Sequence, residues 1–254
     1  MKLVEFPALV FVVSLVFLLG CVWFGAQVLK RFWPPDDTLR DDFSTILAAT
    51  LTLLGLIIGF TFSMAISRYD QRKVLEEAEA NAIGTEFVRA DLLPKADAAQ
   101  VRALLRDYFD QRLLFYTVRD PAELKQVNDK TAQLQTRLWA VVVGSANAAP
   151  TPIIALAVNG MNDVLNAQGY TQAAWWNRIP PAAWLLLAAI AAASHVLVGY
   201  GARNARMERR LLLILPLLMS VCFFLIADID SPRNGLIRVA PQNLLAIADS
   251  LRGP

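Results

Sequence analysis

The sequence predicts an all-α integral membrane protein. It has four transmembrane helices, a helical extramembrane domain between the second and third, and a second span continuous with a long extramembrane helix. Three observations predict this. The 254-residue chain is 56% hydrophobic and 18% charged, richer in apolar and poorer in charged residues than an average soluble domain. The apolar excess gathers in four blocks, two toward each end, which is the pattern of membrane spans and not of one large soluble core. Residues 59–73, GFTFSMAISRYDQRK, pass from apolar and small residues into Arg68, Asp70, Arg72 and Lys73 with no breaker between them. One helix leaving a membrane and continuing into water would read this way.

The four blocks cover about 8–29, 43–66, 182–200 and 211–229. Each has on the order of 20 residues, enough to cross ~30 Å of hydrocarbon at 1.5 Å per residue. In the first block, LLGC at 18–21 resembles a lipoprotein cleavage site. Against that, Lys2 is offset by Glu5, and the apolar run continues past Cys21 through Trp23 and Phe24 to Leu29. The apolar region of a signal is only ~7–15 residues long, so a retained span is expected. Gly55 and Gly59 in the second block, and AAIAAAS (188–194) in the third, read as close helix packing, since small residues let backbones approach. Cys21 and Cys222 sit in apolar blocks without metal-ligand spacing and read as small buried hydrophobes.

The middle of the chain carries helix patterns only. Residues 67–93 extend the second span as far as Pro94, with Val74, Ala78, Ile83, Phe87 and Leu92 at helical spacing. A helix over 97–118 follows. Asp120-Pro121 opens the next, Asp as N-cap and Pro in the first turn, and GSANAAPTP (144–152) breaks it. The last covers 153–166. Trp175, Trp176 and Trp184 are expected in the interfacial belt, with Pro180-Pro181 separating soluble helix from span. The expected division is a first transmembrane pair (1–66), a helical domain (67–179), a second transmembrane pair (180–230) and a C-terminal tail (231–254).

Several functions are excluded or lack support. A net charge of +2 with no basic stripe argues against a nucleic-acid partner. No Ser-His-Asp set is possible outside the membrane, because the one histidine lies in a span. There is no H-E-x-x-H, no C-x-x-C and no Gly-rich phosphate loop after a strand. No enzyme activity, no cofactor and no metal are expected.

Three stretches carry a resemblance: GFTFSMAISRYDQRK (59–73), EANAIGTEFVRADLLP (79–94) and DIDSPRNGLIRV (228–239). With them the chain resembles a bacterial family of uncharacterised membrane proteins labelled bestrophin-like domain. More distantly, through the first stretch and the topology, it is similar to the bestrophin anion channels. The resemblance implies a pentameric homo-oligomer in the lipid bilayer, permeable to anions such as chloride, whose second spans line a hydrophobic neck. In bestrophins the neck residues are bulky, apolar and spaced i, i+4, i+8, ending on the Phe after a Gly. Here that pattern falls on Thr52, Leu56 and Phe60. Thr52 departs from it, and the aromatic-rich segment that follows in bestrophins is replaced by RYDQR. The acidic calcium clasp of the animal channels has no counterpart after Asp230. Residues 52, 56 and 60 share one helix face, and a ring of Leu and Phe can gate by dewetting. The simpler alternative is that Leu56 and Phe60 touch lipid or a neighbouring helix.

Other polar residues stand out. His195, beside Ser194 in the third span, could line a permeation path or sense pH; the simpler alternative is a neutral imidazole bonded to a neighbouring helix. Asp228 and Asp230 close the fourth span. Two carboxylates are a weak metal signal, and they are expected to meet Arg68, Arg72 or Arg233 at the membrane surface. The loop charges Lys30, Arg31, Arg40, Arg203, Arg206, Arg209 and Arg210 favour a cytoplasmic side for the short loops of a bacterial inner-membrane protein. The helical domain would then be periplasmic, whereas the resemblance implies the reverse. The alternative to a channel is a non-conducting membrane-anchored scaffold or sensor whose helical domain binds a partner or ligand.

Overall fold

A computed structural model describes residues 5–34, 40–202 and 209–252. Its regular structure is helical throughout the described residues, and four helical stretches are long and apolar enough to cross a membrane. The chain divides into two compact units, one of residues 1–69 with 178–238, the other of residues 70–177 with 239–254.

The first unit holds the spans. Helix α1 (Pro7–Trp23) continues through a π-helical turn (Phe24–Leu29) into α2 (Lys30–Phe32). The run through Cys21 is therefore continuous helix. Helix α7 (Pro181–Gly201) and helix α8 (Arg209–Asp230) are the third and fourth spans, and α1 packs on both. Leu18, Leu54, Leu187, Ala191, Ile226 and Ala227 form the centre of the core. Hydroxyls buried among them bond to carbonyls of their own helix, Ser194 to Ile190 at 2.8 Å and Ser220 to Pro216 at 2.8 Å. That satisfies them where no water reaches.

Within one copy of the chain, the close approach of spans is made by Gly25 and Gly199. A Cβ on Gly25 would overlap the Val196 carbonyl oxygen, and one on Gly199 would overlap that of Val22. At Gly55 and Gly59 an added Cβ would meet nothing within 4 Å in the chain. The alanine-rich α7 buries Ala191 but leaves Leu185, Leu186, Ala189 and Ala193 exposed, so only one of its faces is packed within the chain.

Helix α3 (Arg40–Arg89) contributes residues 40–69 to the first unit and 70–89 to the second. It spans roughly 75 Å at 1.5 Å per residue. Asp41 and Asp42 stand in its first turn, where the helix dipole favours negative charge. A 3-10 turn (Ala90–Leu92) ends it before Pro94.

The second unit adds α4 (Lys95–Thr117), α5 (Pro121–Ala148), α6 (Pro152–Trp176) and α9 (Gln242–Arg252). Asp120 caps α5 as expected, accepting from the backbone N–H groups of Ala122 and Glu123. Two expectations are corrected. Helix α5 runs through the GSANA stretch to Ala148. Helix α6 continues ten residues beyond 166, because a single glycine at 169 does not stop a helix and no proline follows before Pro180. Of the three tryptophans, Trp175 is buried against Phe115 (centroids 4.9 Å apart) and Tyr116, Trp184 is buried in the span core, and Trp176 is exposed.

The tail contains α9, held at both ends. The Glu76 carboxylate accepts from the Leu244 backbone N–H at 2.9 Å and the Asn243 side chain at 2.6 Å, at the positive end of the helix. Arg106 donates to the Leu251 carbonyl at 2.6 Å, at the negative end.

Candidate functional site

The second span is the least covered. Only 11% of its apolar window is buried within the chain, against 28%, 33% and 39% for the others. One of its faces therefore lacks a partner in a single copy. Thr52, Leu56 and Phe60 all lie on exposed positions, Leu56 at 53% and Phe60 at 62%. The Thr52 hydroxyl donates to the Ala48 carbonyl at 2.8 Å, and Thr45, Thr50 and Thr61 bond back in the same way. With its hydroxyl engaged, Thr52 adds little free polarity to the face. Leu54 and Ala65 point the other way, into the span core.

His195 is wholly buried in the span core, its Nδ1 2.7 Å from the Ala191 carbonyl oxygen of its own helix. Ser194, also buried, bonds to Ile190 as described.

The end of the fourth span is a carboxylate-organised turn. Asp228 accepts from the Leu236 and Ile237 backbone N–H groups at 2.7 and 2.8 Å. A Cβ on Gly235 would overlap the Asp228 carbonyl oxygen, so the turn requires glycine there. Asp230 accepts from the Ile179 N–H with both oxygens at 3.2 Å, and its carbonyl accepts from Arg178 at 3.0 Å. Arg68 lies 3.7 Å from the Asp230 carboxylate. Arg72, wholly buried, donates to the Ala174 and Asn177 carbonyls at 3.2 Å. Arg233 is half-buried. Asp228 thus bonds to backbone N–H groups, while Asp230 combines backbone bonds with the Arg68 ion pair; among the described residues no group of three or more His, Cys, Asp or Glu could hold a metal. Of the basic loop residues, Arg203 and Arg206 lie outside the described residues.

The second unit holds acidic residues that the sequence did not single out. Glu79 and Arg112 form an ion pair with neither side chain exposed. Tyr116 donates to Glu79 at 3.1 Å, and the Arg112 guanidinium lies 4.3 Å from the Phe115 ring centroid. Burial pushes the Tyr108 and Tyr116 hydroxyls far up, with the Glu79 charge adding to it, so both stay neutral. Glu86 is buried on the same helix. The signal was present in the sequence: Glu76, Glu79 and Glu86 share the helix face of Ile83, which is the packed face.

The Bestrophin-like domain family matches residues 12–244. No curated protein matches the chain. Among solved structures, a bacterial bestrophin homologue from Klebsiella pneumoniae superposes with a TM-score of 0.64 at 14% identity, covering 94% of this chain and 97% of that one. A tryptophan-to-alanine variant of a bestrophin homologue from the same organism gives 0.63 at 13%, covering 95% and 93%. A membrane protein carrying a proline-to-alanine mutation gives 0.58 at 15%, covering 95% and 98%. At these identities the likeness is one of fold.

Proposed function

The chain belongs to the Bestrophin-like domain family, and on that premise we propose that it forms an oligomeric, anion-permeable membrane channel with a neck at Thr52, Leu56 and Phe60. The observation that carries this reading is the uncovered face of the second span, where Leu56 and Phe60 stand exposed in a single copy. A ring of copies, five as the bestrophin resemblance implies, would place that face around a shared axis. Stacked Leu and Phe side chains would then close the path by excluding water. Chloride is the ion the resemblance points to, and the loop charges favour a bacterial inner-membrane placement with the helical unit on the periplasmic side.

Phe60→Ala is expected to open the neck. A barrier lowered by about 1.4 kcal/mol raises flux about tenfold. Chloride efflux from liposomes containing the purified protein reads this directly, and unchanged flux and ion block would remove Phe60 from the neck.

One observation favours the sensor reading: clefts of about 420 and 270 Å³ flank Asn81, Thr85 and Arg89 on the second unit. A sensor would leave membrane flux at background in both the parent and the Phe60 variant.

A further inference from the structure

Glu86 is the most unusual titratable group outside the spans. Its side chain is wholly buried, and neither carboxyl oxygen has a hydrogen-bond partner. It packs against α6 at Gly160, where a Cβ would overlap Glu86 Oε2 and stand 2.7 Å from Arg89 Nη1. Glycine at 160 is what lets the carboxyl enter. The charges acting on Glu86 are Arg89 on its own helix and Asp163 on α6. These two are only loosely paired, Arg89 Nη1 lying 4.0 Å from Asp163 Oδ2. Arg89 also lines both clefts, one with Gly160 and Asp163, the other with Val88 and Ile247, so its guanidinium has room to move.

An ionised carboxylate buried without partners is strongly disfavoured. The closed arrangement therefore holds Glu86 as the neutral acid. We propose that Glu86 is a proton-operated latch between α3 and α6. As the acid it allows α6 to close over it at Gly160; as the carboxylate it must reach water or draw Arg89 away from Asp163, which releases the closure. The latch lies within the second unit and does not depend on the pore assignment.

Burial, opposed by Arg89 and reinforced by Asp163, raises the Glu86 carboxyl from 4.5 to about 8. In an opened joint it would titrate near its ordinary value. Closure therefore binds the proton more tightly than opening does. The stability of the closed joint is fully present at acid pH, falls as pH rises from the open-state value to the closed-state value, and levels off above about 8. Within that window each pH unit multiplies the opening equilibrium by about ten.

The test is hydrogen exchange of peptides covering 152–168, in the full chain in detergent, between about pH 5 and pH 9. Rates are corrected for intrinsic base catalysis. The expected result is an opening equilibrium that rises by about 400-fold between pH 5 and 8 and then flattens. Glu86→Gln is expected to remove the pH dependence. Asp163→Asn keeps the latch but removes a charge that holds the proton on, so the rise flattens at lower pH and is smaller. A flat wild-type profile would overturn the proposal, as would a Glu86→Gln profile that keeps the wild-type slope. If Glu86→Gln does not fold, an Asp163→Asn profile identical to wild type would overturn it.

Discussion

Arg112→Ala is expected to destabilise the helical unit by about 3–5 kcal/mol, the usual effect of breaking a buried ion pair from one side. Whole domains are stable by only ~5–15 kcal/mol, so the variant should unfold near ambient temperature or fail to accumulate. The cause is geometric. Glu79 and Arg112 are both wholly buried, and Arg112 donates through Nε and through Nη2 at 3.4 Å to the same carboxylate. Without the guanidinium, Glu79 keeps only the Tyr116 hydroxyl at 3.1 Å, too little to replace hydration of a charge. Phe115 loses the cation above its ring. Arg112→Lys retains charge without the planar fork and should fall between the two. Hydrogen-exchange protection of α4 in the purified protein measures the effect, and Arg112→Ala within about 1 kcal/mol of wild type would show that the pair contributes little.

Gly199→Val is expected to cost about 3 kcal/mol or more by forcing α7 away from α1. In lipid, helices gain nothing from hiding apolar surface, so close van der Waals contact holds them together. Gly199 and Gly25 supply that contact reciprocally, each where a Cβ would overlap a carbonyl oxygen of the facing helix. Backbone cannot give way as a flexible side chain can. Gly169→Ala is the control: its Cβ would meet nothing within 4 Å, it lies exposed on α6, and loss of a helical glycine is stabilising by roughly 0.5–1 kcal/mol. Thermal melting of the two detergent-purified variants should move in opposite directions. A Gly199→Val melting temperature equal to wild type would show that the two spans do not depend on this approach.

Much of the architecture could be read from residues. The four spans follow from composition, and the unbroken α3 follows from the lack of any breaker between Phe60 and Lys73. The end of α6 could not be read, because Asn166 and Gly169 imitate a helix terminus and only Asn177 and the prolines beyond it end the helix. The packing of Trp175 on Phe115 and Tyr116 could not be read either, because it joins segments distant in sequence. Helix α9 was readable, with Leu244, Ile247, Ala248 and Leu251 at helical spacing after Pro241, but its anchoring by Glu76 and Arg106 joins segments distant in sequence. The Glu79–Arg112 pair is likewise tertiary, its members 33 positions apart in sequence. For the proposed neck, helical spacing puts residues 52, 56 and 60 on one face, and the fold leaves that face exposed. What covers it lies outside one copy of the chain.

The most direct test of the channel reading is the number of subunits in the purified full chain, measured in nanodiscs by native mass and particle class averages. A five-fold ring with α3 around its axis is the expected result. A monomer or dimer would contradict it, because no shared axis would remain for Leu56 and Phe60 to line, and the exposed face of α3 would then be a lipid-facing surface.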